Sequence, residues 1–299
     1  MRTLRMEIGP DLDGKQVKWV LKNRLHLARG LISRIKLRER GICINGVRAR
    51  TTDLLHAGDV LTAEVGDPGG DAPGAWDGPE PDVLFEDDDL LIINKPAGMA
   101  SHGSAGGSAT VTEMLAAYLG QSPHLITRLD RGTSGIMVAA KNAYMTERLR
   151  RMLHGDSFAR RYVALCAGVP DPPCGEIDLP IARVPGSYMR YVSHDGVKAV
   201  TQYETLASSG SASLVRLRLL TGRTHQIRVH LAHMGCALVG DAMYGSASPL
   251  ISRPALHSAE LTLIHPLTQA RIEMSCRMPD DMSAAAEASG IDLHNQIIY

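Results

Sequence analysis

The sequence predicts an α+β fold: an antiparallel or mixed sheet, behind a small basic domain. Three observations lead there. Apolar runs of strand length and stretches of helical periodicity follow one another without a regular strand–helix–strand alternation. No repeat recurs at the periods of solenoids or propellers. Charge is segregated, although the 299 residues carry 32 Lys+Arg against 32 Asp+Glu. Residues 1–65 hold 13 Lys/Arg and 7 Asp/Glu, whereas residues 66–90 hold 9 acids and no base. Such a block expects an anionic partner. The expected division is a domain over 1–65, an acidic Gly/Pro linker over 66–82 and a second domain over 83–299.

The first domain reads as helix, helix, hairpin and a last strand. Val17, Val20, Leu21, Leu25 and Leu27 recur near helical spacing from Gly14 to about Gly30, and a second helical stretch covers Leu31 to Arg38. Ile42 to Val47 alternates β-branched residues and contains Asn45-Gly46, the strongest short hairpin signal. A strand is expected from Leu61 to Val65. The stretch GDPGGDAPGAWDGPEP cannot bury a face and reads as a tether.

The second domain opens with two strands, Val83–Glu86 and Leu90–Asn94, around an acidic turn. A Gly/Ser loop, Ser101–Ser108, precedes a helix near Val111–Leu119, where Thr110 and Glu113 have capping-box spacing. A strand at Ile136–Ala140 and an amphipathic helix from Asn142 to Leu153 come next. Tyr162–Val169 and Ser213–Leu220 read as strands. His225–Met234 reads as a short helix closed by Gly235, with Ile227, Leu231 and Met234 as its buried stripe.

Several classes fall away. No run of 18 apolar residues predicts a membrane span, and MRTLRMEIGPDLDGK lacks the apolar core of a secretory signal. The 5 cysteines are scattered, with no C-x-x-C, so a reducing cytoplasm is expected rather than a disulfide framework. Aromatics are only 4%, which disfavours readers that need several stacking rings but leaves room for one stacking Tyr. The dinucleotide, P-loop, zincin and α/β-hydrolase motifs are missing.

Chemistry has three candidate locations. In Arg128-Leu129-Asp130-Arg131-Gly132-Thr133-Ser134-Gly135, Asp130 is a nucleophile or base beside arginines, or else a loop ion pair. In Thr221–His233, Thr224 can cap a helix whose first turn presents His225, Gln226 and Arg228, an anion site with Arg223. His230 and His233 lack a nearby carboxylate, so no metal is expected. In Phe158-Ala159-Arg160-Arg161-Tyr162, Tyr162 is an edge-strand aromatic, or it stacks on a base beside phosphate-binding arginines.

These stretches, in this order, resemble the RluA-type pseudouridine synthases, which isomerise uridine in ribosomal or transfer RNA. Leu91-Ile92-Ile93-Asn94-Lys95-Pro96-Ala97-Gly98-Met99 matches the family's opening motif, and Arg128–Gly135 its catalytic one. Arg160-Arg161-Tyr162 falls where the family has its active-site tyrosine, Gly222–His230 matches its basic motif, and Gly240–Gly245 the segment after it. Leu256-His257-Ser258 and His265-Pro266-Leu267 are expected in closing strands. Thr127 stands where the family usually has His, and Ser258 where it often has Ala. Residues 1–65 resemble the S-four-like RNA-binding (alpha-L) domain often fused ahead of such enzymes.

The resemblance implies catalytic roles for Asp130, Tyr162 and Arg228, the last pairing with Asp130 through a bidentate guanidinium. It implies substrate contacts from Arg128, Lys95, Arg223, Thr224, His225 and Gln226. Lys18, Lys22, Arg29, Arg34, Lys36 and Arg38 are candidates for phosphate contacts. It implies RNA as partner, no cofactor, no metal and no membrane, and a monomer. A non-enzymatic RNA binder and a phosphate-ester hydrolase acting at Thr224 are the rival readings.

Overall fold

The computed structural model describes residues 2–66, 74, 76–103, 109–153 and 155–293. The first unit comprises β1 (Thr3–Glu7), α1 (Val17–Asn23), α2 (Arg29–Ile35), β2 (Ile42–Ile44), β3 (Val47–Arg48) and β4 (Val60–Glu64). Its sheet is antiparallel in the order β1-β4-β2-β3. Strand β1 was not anticipated, yet Leu4, Met6 and Ile8 alternate with Arg5 and Glu7, the pattern of a half-buried strand. The expected long first helix stops at Asn23, and His26 enters the left-handed region at φ 55°. A straight helix would turn Leu27 about 120° away from Leu21. The break lets both bury in one core with Val17, Val20, Leu31, Ile35 and Leu61. Asn45 and Gly46 take positive φ, 50° and 82°, as a two-residue hairpin turn requires.

The second unit runs β5 (Asp82–Glu86), β6 (Leu90–Lys95), α3 (Val111–Leu119), β7 (His124–Leu125), β8 (Ser134–Ala140), α4 (Ala143–Met152), β9 (Phe158–Ala167), β10 (Cys174–Asp178), β11 (Ile181–Arg183), β12 (Arg190–Val192), β13 (Val200–Ser208), β14 (Ala212–Leu219), α5 (Gln226–His233), β15 (Leu256–Ile264), β16 (Arg271–Ser275) and α6 (Asp280–Ala288). The large sheet has the order β10-β13-β14-β9-β15-β8-β6-β5, with β16 on β15 and β7 on β8. The β15–β8 pair is parallel and the other pairs are antiparallel. Thr110 and Glu113 form the anticipated capping box on α3.

Two expectations need correction. His265-Pro266-Leu267 are not strand residues. They form the turn between β15 and β16, where Pro266 has no N–H to give a ladder and His265 N donates to Ala270 O. Residues 67–73 and 75 of the Gly/Pro stretch and 104–108 of the Ser101–Ser108 loop lie outside the described residues. Trp76 within that stretch does bury a face: it packs on the main core, and its Nε1 donates to Pro79 O at 3.0 Å. The two units also meet directly. Tyr144 of α4 is buried in the first unit's core, and its hydroxyl donates to Leu25 O at 3.0 Å.

The parallel β8–β15 junction sets the position of the Asp130 loop. Gly135 sits there at φ 107°, and a Cβ on it would lie 2.3 Å from Ser258 O, so only glycine allows the approach. Residues 128–133 therefore emerge in the middle of the sheet, not at its edge.

Candidate active site

The loop that carries Asp130 is tied down on both sides. Leu129 is buried, and Ser101 Oγ donates to its carbonyl at 2.6 Å while accepting from its N–H at 3.1 Å. Thr133 N donates to Asp130 O at 3.0 Å, closing a tight turn. Anchored in this way, the Asp130 side chain keeps 26% exposure and faces a cleft lined by Arg128, Thr133, Tyr162, His225 and Arg228.

Lys95, expected to touch substrate, lies under this loop with no accessible surface. Its Nζ donates to Pro96 O at 2.7 Å, to Met99 O at 2.8 Å and to Arg131 O at 3.4 Å. Burial lowers its pKa to about 8, with Arg253 acting the same way and Asp130 opposing. Three carbonyls depend on one donor. Lys95→Met should therefore cost about 1–3 kcal/mol of stability, read as a shifted thermal midpoint, and should lower turnover more than RNA affinity.

Arg228 comes from α5. Its Nε and Nη2 each donate to Asp241 at 2.7 Å, and Nη1 reaches Asp130 Oδ2 at 3.3 Å. The expected bidentate grip thus goes to Asp241, and Asp130 receives only the third nitrogen. Burial by itself would weaken the charge on Arg228. The hydrogen bonds and charge of Asp241, with Asp130 behind, outweigh it and raise the guanidinium pKa. The guanidinium carbon also lies 4.9 Å from the centroid of the Tyr244 ring, a cation–π contact.

The helix start differs from the expected cap. Thr224 is exposed, and His225 is the N-cap residue, at φ 58° without a side-chain cap bond. The turn brings His225 Nε2 to 3.8 Å from Asp130 Oδ2 and Nδ1 to 2.7 Å from the Tyr244 hydroxyl. Burial pushes the His225 pKa down; Asp130 opposes and Arg228 reinforces that shift. Gln226 is buried and spends its amide inside the fold. Its oxygen accepts from Thr221 Oγ and Arg223 N, and its nitrogen donates to Val200 O and Thr201 Oγ. It fastens α5 to β13 and has nothing left for a ligand. Arg223 is exposed on the rim and donates to Lys198 O.

Tyr162 sits on β9 between β14 and β15, an inner strand and not an edge, and is 4% exposed. Thr127 Oγ accepts from Val138 N at 2.9 Å, so it closes backbone next to the loop. His230 is held by Thr201 Oγ and Leu179 O. No group of three or more His, Cys, Asp or Glu among the described residues could hold a metal. In the first unit Lys18, Lys22, Arg29, Arg34 and Lys36 are exposed, but Arg38 is half-buried and donates to Glu64 O and Gly66 O. Arg38 pins the end of β4 and leaves the candidate set.

The sequence reading missed Asp241, Tyr244 and Thr133. Asp241 is the one acid in the otherwise apolar run from Ala237 to Tyr244, a signal that a buried partner for some arginine was to be expected. Thr133 Oγ is buried without a hydrogen-bond partner and its residue lines the cleft.

Comparison with known proteins shows the family. Residues 89–233 match the family described as RNA pseudouridylate synthase. The chain is 35% identical to the uncharacterized RNA pseudouridine synthase YjbO of Bacillus subtilis, over 87% of this chain and 94% of that one. It is 31% identical to ribosomal large subunit pseudouridine synthase C of Vibrio cholerae, over 90% and 91%. Human RNA pseudouridylate synthase domain containing 4 superposes with a TM-score of 0.57 at 26% identity, over 71% of this chain and 94% of that one. The matched segment runs from the turn before β6 to the end of α5, through the Asp130 loop, Tyr162 and Arg228. With a third of its residues shared along nearly its whole length, this protein belongs to the RNA pseudouridine synthases, a family of isomerases.

Proposed function

We propose that the chain isomerises a uridine of RNA by the action of Asp130 on a nucleotide flipped out of its stack. The observation that carries the reading is the partly open Asp130 carboxylate in a cleft with Tyr162, His225 and Arg228 around it. The N1–C1′ bond breaks, the uracil turns, and a C5–C1′ bond forms. C5 gives up a proton and N1 takes one. Atoms and charge balance without an oxidant or co-substrate, so a dry pocket and one placed carboxylate suffice. Removing the nucleotide from its stack costs a few kcal/mol. Tyr162 stacks on the uracil and stands near the departing C5 proton, and Arg128 and Arg223 meet the strand at the rim.

The substrate class we favour is ribosomal RNA of the large subunit, as the name of the Vibrio cholerae relative indicates for that protein. The proposal includes action in the cytoplasm, by a single chain without metal, with an S-four-like first unit holding the RNA. The test is release of tritium from RNA labelled at uracil C5, taken from cells lacking this gene, followed by chemical mapping of the product. Absence of release would sink the reading.

Tyr162→Phe should lower turnover while sparing RNA affinity, because the ring still stacks. Tyr162→Leu should lose both, stacking being worth about 1–3 kcal/mol per base. Equal affinities for the Phe and Leu variants would remove Tyr162 from the stacking role.

The basic first unit should make binding salt-sensitive, with a log–log slope of roughly −0.7 to −0.9 per phosphate contact. Replacing Lys18, Lys22, Arg29, Arg34 and Lys36 together by Gln in the full chain should flatten that slope. A titration of affinity against salt checks it, and an unchanged slope would reassign this face to protein contacts.

A further inference from the structure

Arg160 on β9 is 9% exposed, yet among the described residues it makes no ion pair, and its Nε is buried without a hydrogen-bond partner. The next residue shows the ordinary arrangement: Arg161 donates to Glu260 at 3.0 Å. The guanidinium carbon of Arg160 instead lies 5.8 Å from the centroid of Phe158. A buried cation with no counter-charge is strongly unfavourable, and none of the described residues supplies one.

The space in front of it fits an anion. Arg160 lines a cavity of about 510 Å³, which Arg128, Arg131 and Arg223 also line, with Asp130 as the one acid among the described residues that line it. That volume is in the range of small-ligand sites. A Cβ on Gly222 would lie 3.8 Å from both Nη1 and Nη2 of Arg160, and the Gly222 backbone is outside the left-handed region. Glycine is not demanded there by its conformation. Its bare backbone leaves the guanidinium uncovered. Arg160 and Tyr162 are two residues apart on one strand and therefore on one face, about 7 Å apart along it. Both line the same cavity.

We infer that Arg160, left open by Gly222, is a phosphate subsite that holds the backbone phosphate attached to the target uridine. The inference rests on the reading of the cleft as a uridine site and adds where the nucleotide's charge is held. Charge-assisted, paired hydrogen bonds from a guanidinium suit a phosphate.

The experiment is an NMR titration of the full chain with uridine, uridine 5′-monophosphate and uridine 3′-monophosphate. One monophosphate should bind at least about tenfold more tightly than uridine, a charge-assisted hydrogen bond being enough for that ratio; which one tells whether the 5′ or the 3′ phosphate is held. Arg160→Gln should bring that monophosphate to the dissociation constant of uridine while leaving uridine itself unchanged. Its thermal midpoint should fall little, since no ion pair is lost and only the contact with the Phe158 ring goes. Gly222→Val, which covers the guanidinium from an exposed position, should have the same effect with Arg160 still present, and Arg160→Lys should keep part of the preference. Tyr118→Ala, at a residue outside the cleft lining whose hydroxyl donates to Glu86, should leave all three constants as in the wild type.

Equal constants in the wild-type chain, or no measurable binding of any of the three, overturn the subsite. A preference that survives Arg160→Gln also overturns it and assigns the attraction to the rim arginines. The tritium-release assay keeps the two ideas apart. A chain that isomerises uridine but shows no phosphate preference loses only the subsite, whereas a chain that releases no tritium loses the uridine reading itself.

Discussion

Asp130→Asn is expected to fold, to bind RNA as the wild type does, and to form no pseudouridine. The loop that holds residue 130 depends on Leu129, Ser101, Lys95 and the backbone of Thr133, none of which the substitution touches. Arg228 keeps its charge compensated, because its two short bonds go to Asp241. The Asn oxygen can still accept from Nη1. What disappears is the anionic oxygen to which the proposed function gives the attack. Loss of a nucleophile within a preorganised site lowers kcat on the order of 10⁴-fold or more. The measurement is tritium release together with a thermal midpoint and an RNA titration. Turnover within tenfold of wild type would remove Asp130 from the nucleophile's role.

Asp241→Ala should be costly in a different way. Asp241 is 1% exposed and takes two of the three Arg228 contacts. Removing it strands a buried guanidinium, a loss of about 3–5 kcal/mol. The remaining carboxylate within reach is Asp130, at 3.3 Å from Nη1. Arg228 is then drawn toward the nucleophile and occupies the oxygens that should face the sugar, so turnover falls further than stability explains. A double variant, Arg228→Met with Asp241→Leu, separates the effects. Replacing a buried pair by apolar side chains of similar volume restores stability, and turnover should stay low because Asp130 has lost its positive neighbour. Recovery of activity along with stability would show that the pair only holds α5 in place.

Lengths and types of most elements were legible because they depend on neighbours in sequence. The Thr110–Glu113 cap, the Asn45-Gly46 turn and the stripe Ile227–Leu231–Met234 each act within one or two turns of chain. The failures lie where a distant group intervened. The first helix breaks so that Leu27 can share a core with Leu21 and Leu61. Trp76 docks on a core supplied by residues after it. Gln226 and Lys95 have the chemistry of ligand contacts, but their donors are already used by Thr221, Val200, Pro96 and Met99.

What the sequence by itself determined is the family and the α+β class, because motif residues are contiguous and read without coordinates; it also singled out Asp130, a carboxylate that the fold places in the cleft. What only the tertiary structure decided is the partnership around that carboxylate. Asp130, Arg228 and Asp241 lie on a loop, a helix and a later turn, and the two residues that flank Arg228 in space are 98 and 13 positions from it in sequence. Which carboxylate receives two guanidinium nitrogens, and which buried arginine has no carboxylate among the described residues, depends on packing between elements far apart in the chain. Hydrogen-bond geometry reaches only about 3 Å, and no pattern of residue types along a chain specifies contacts at that precision.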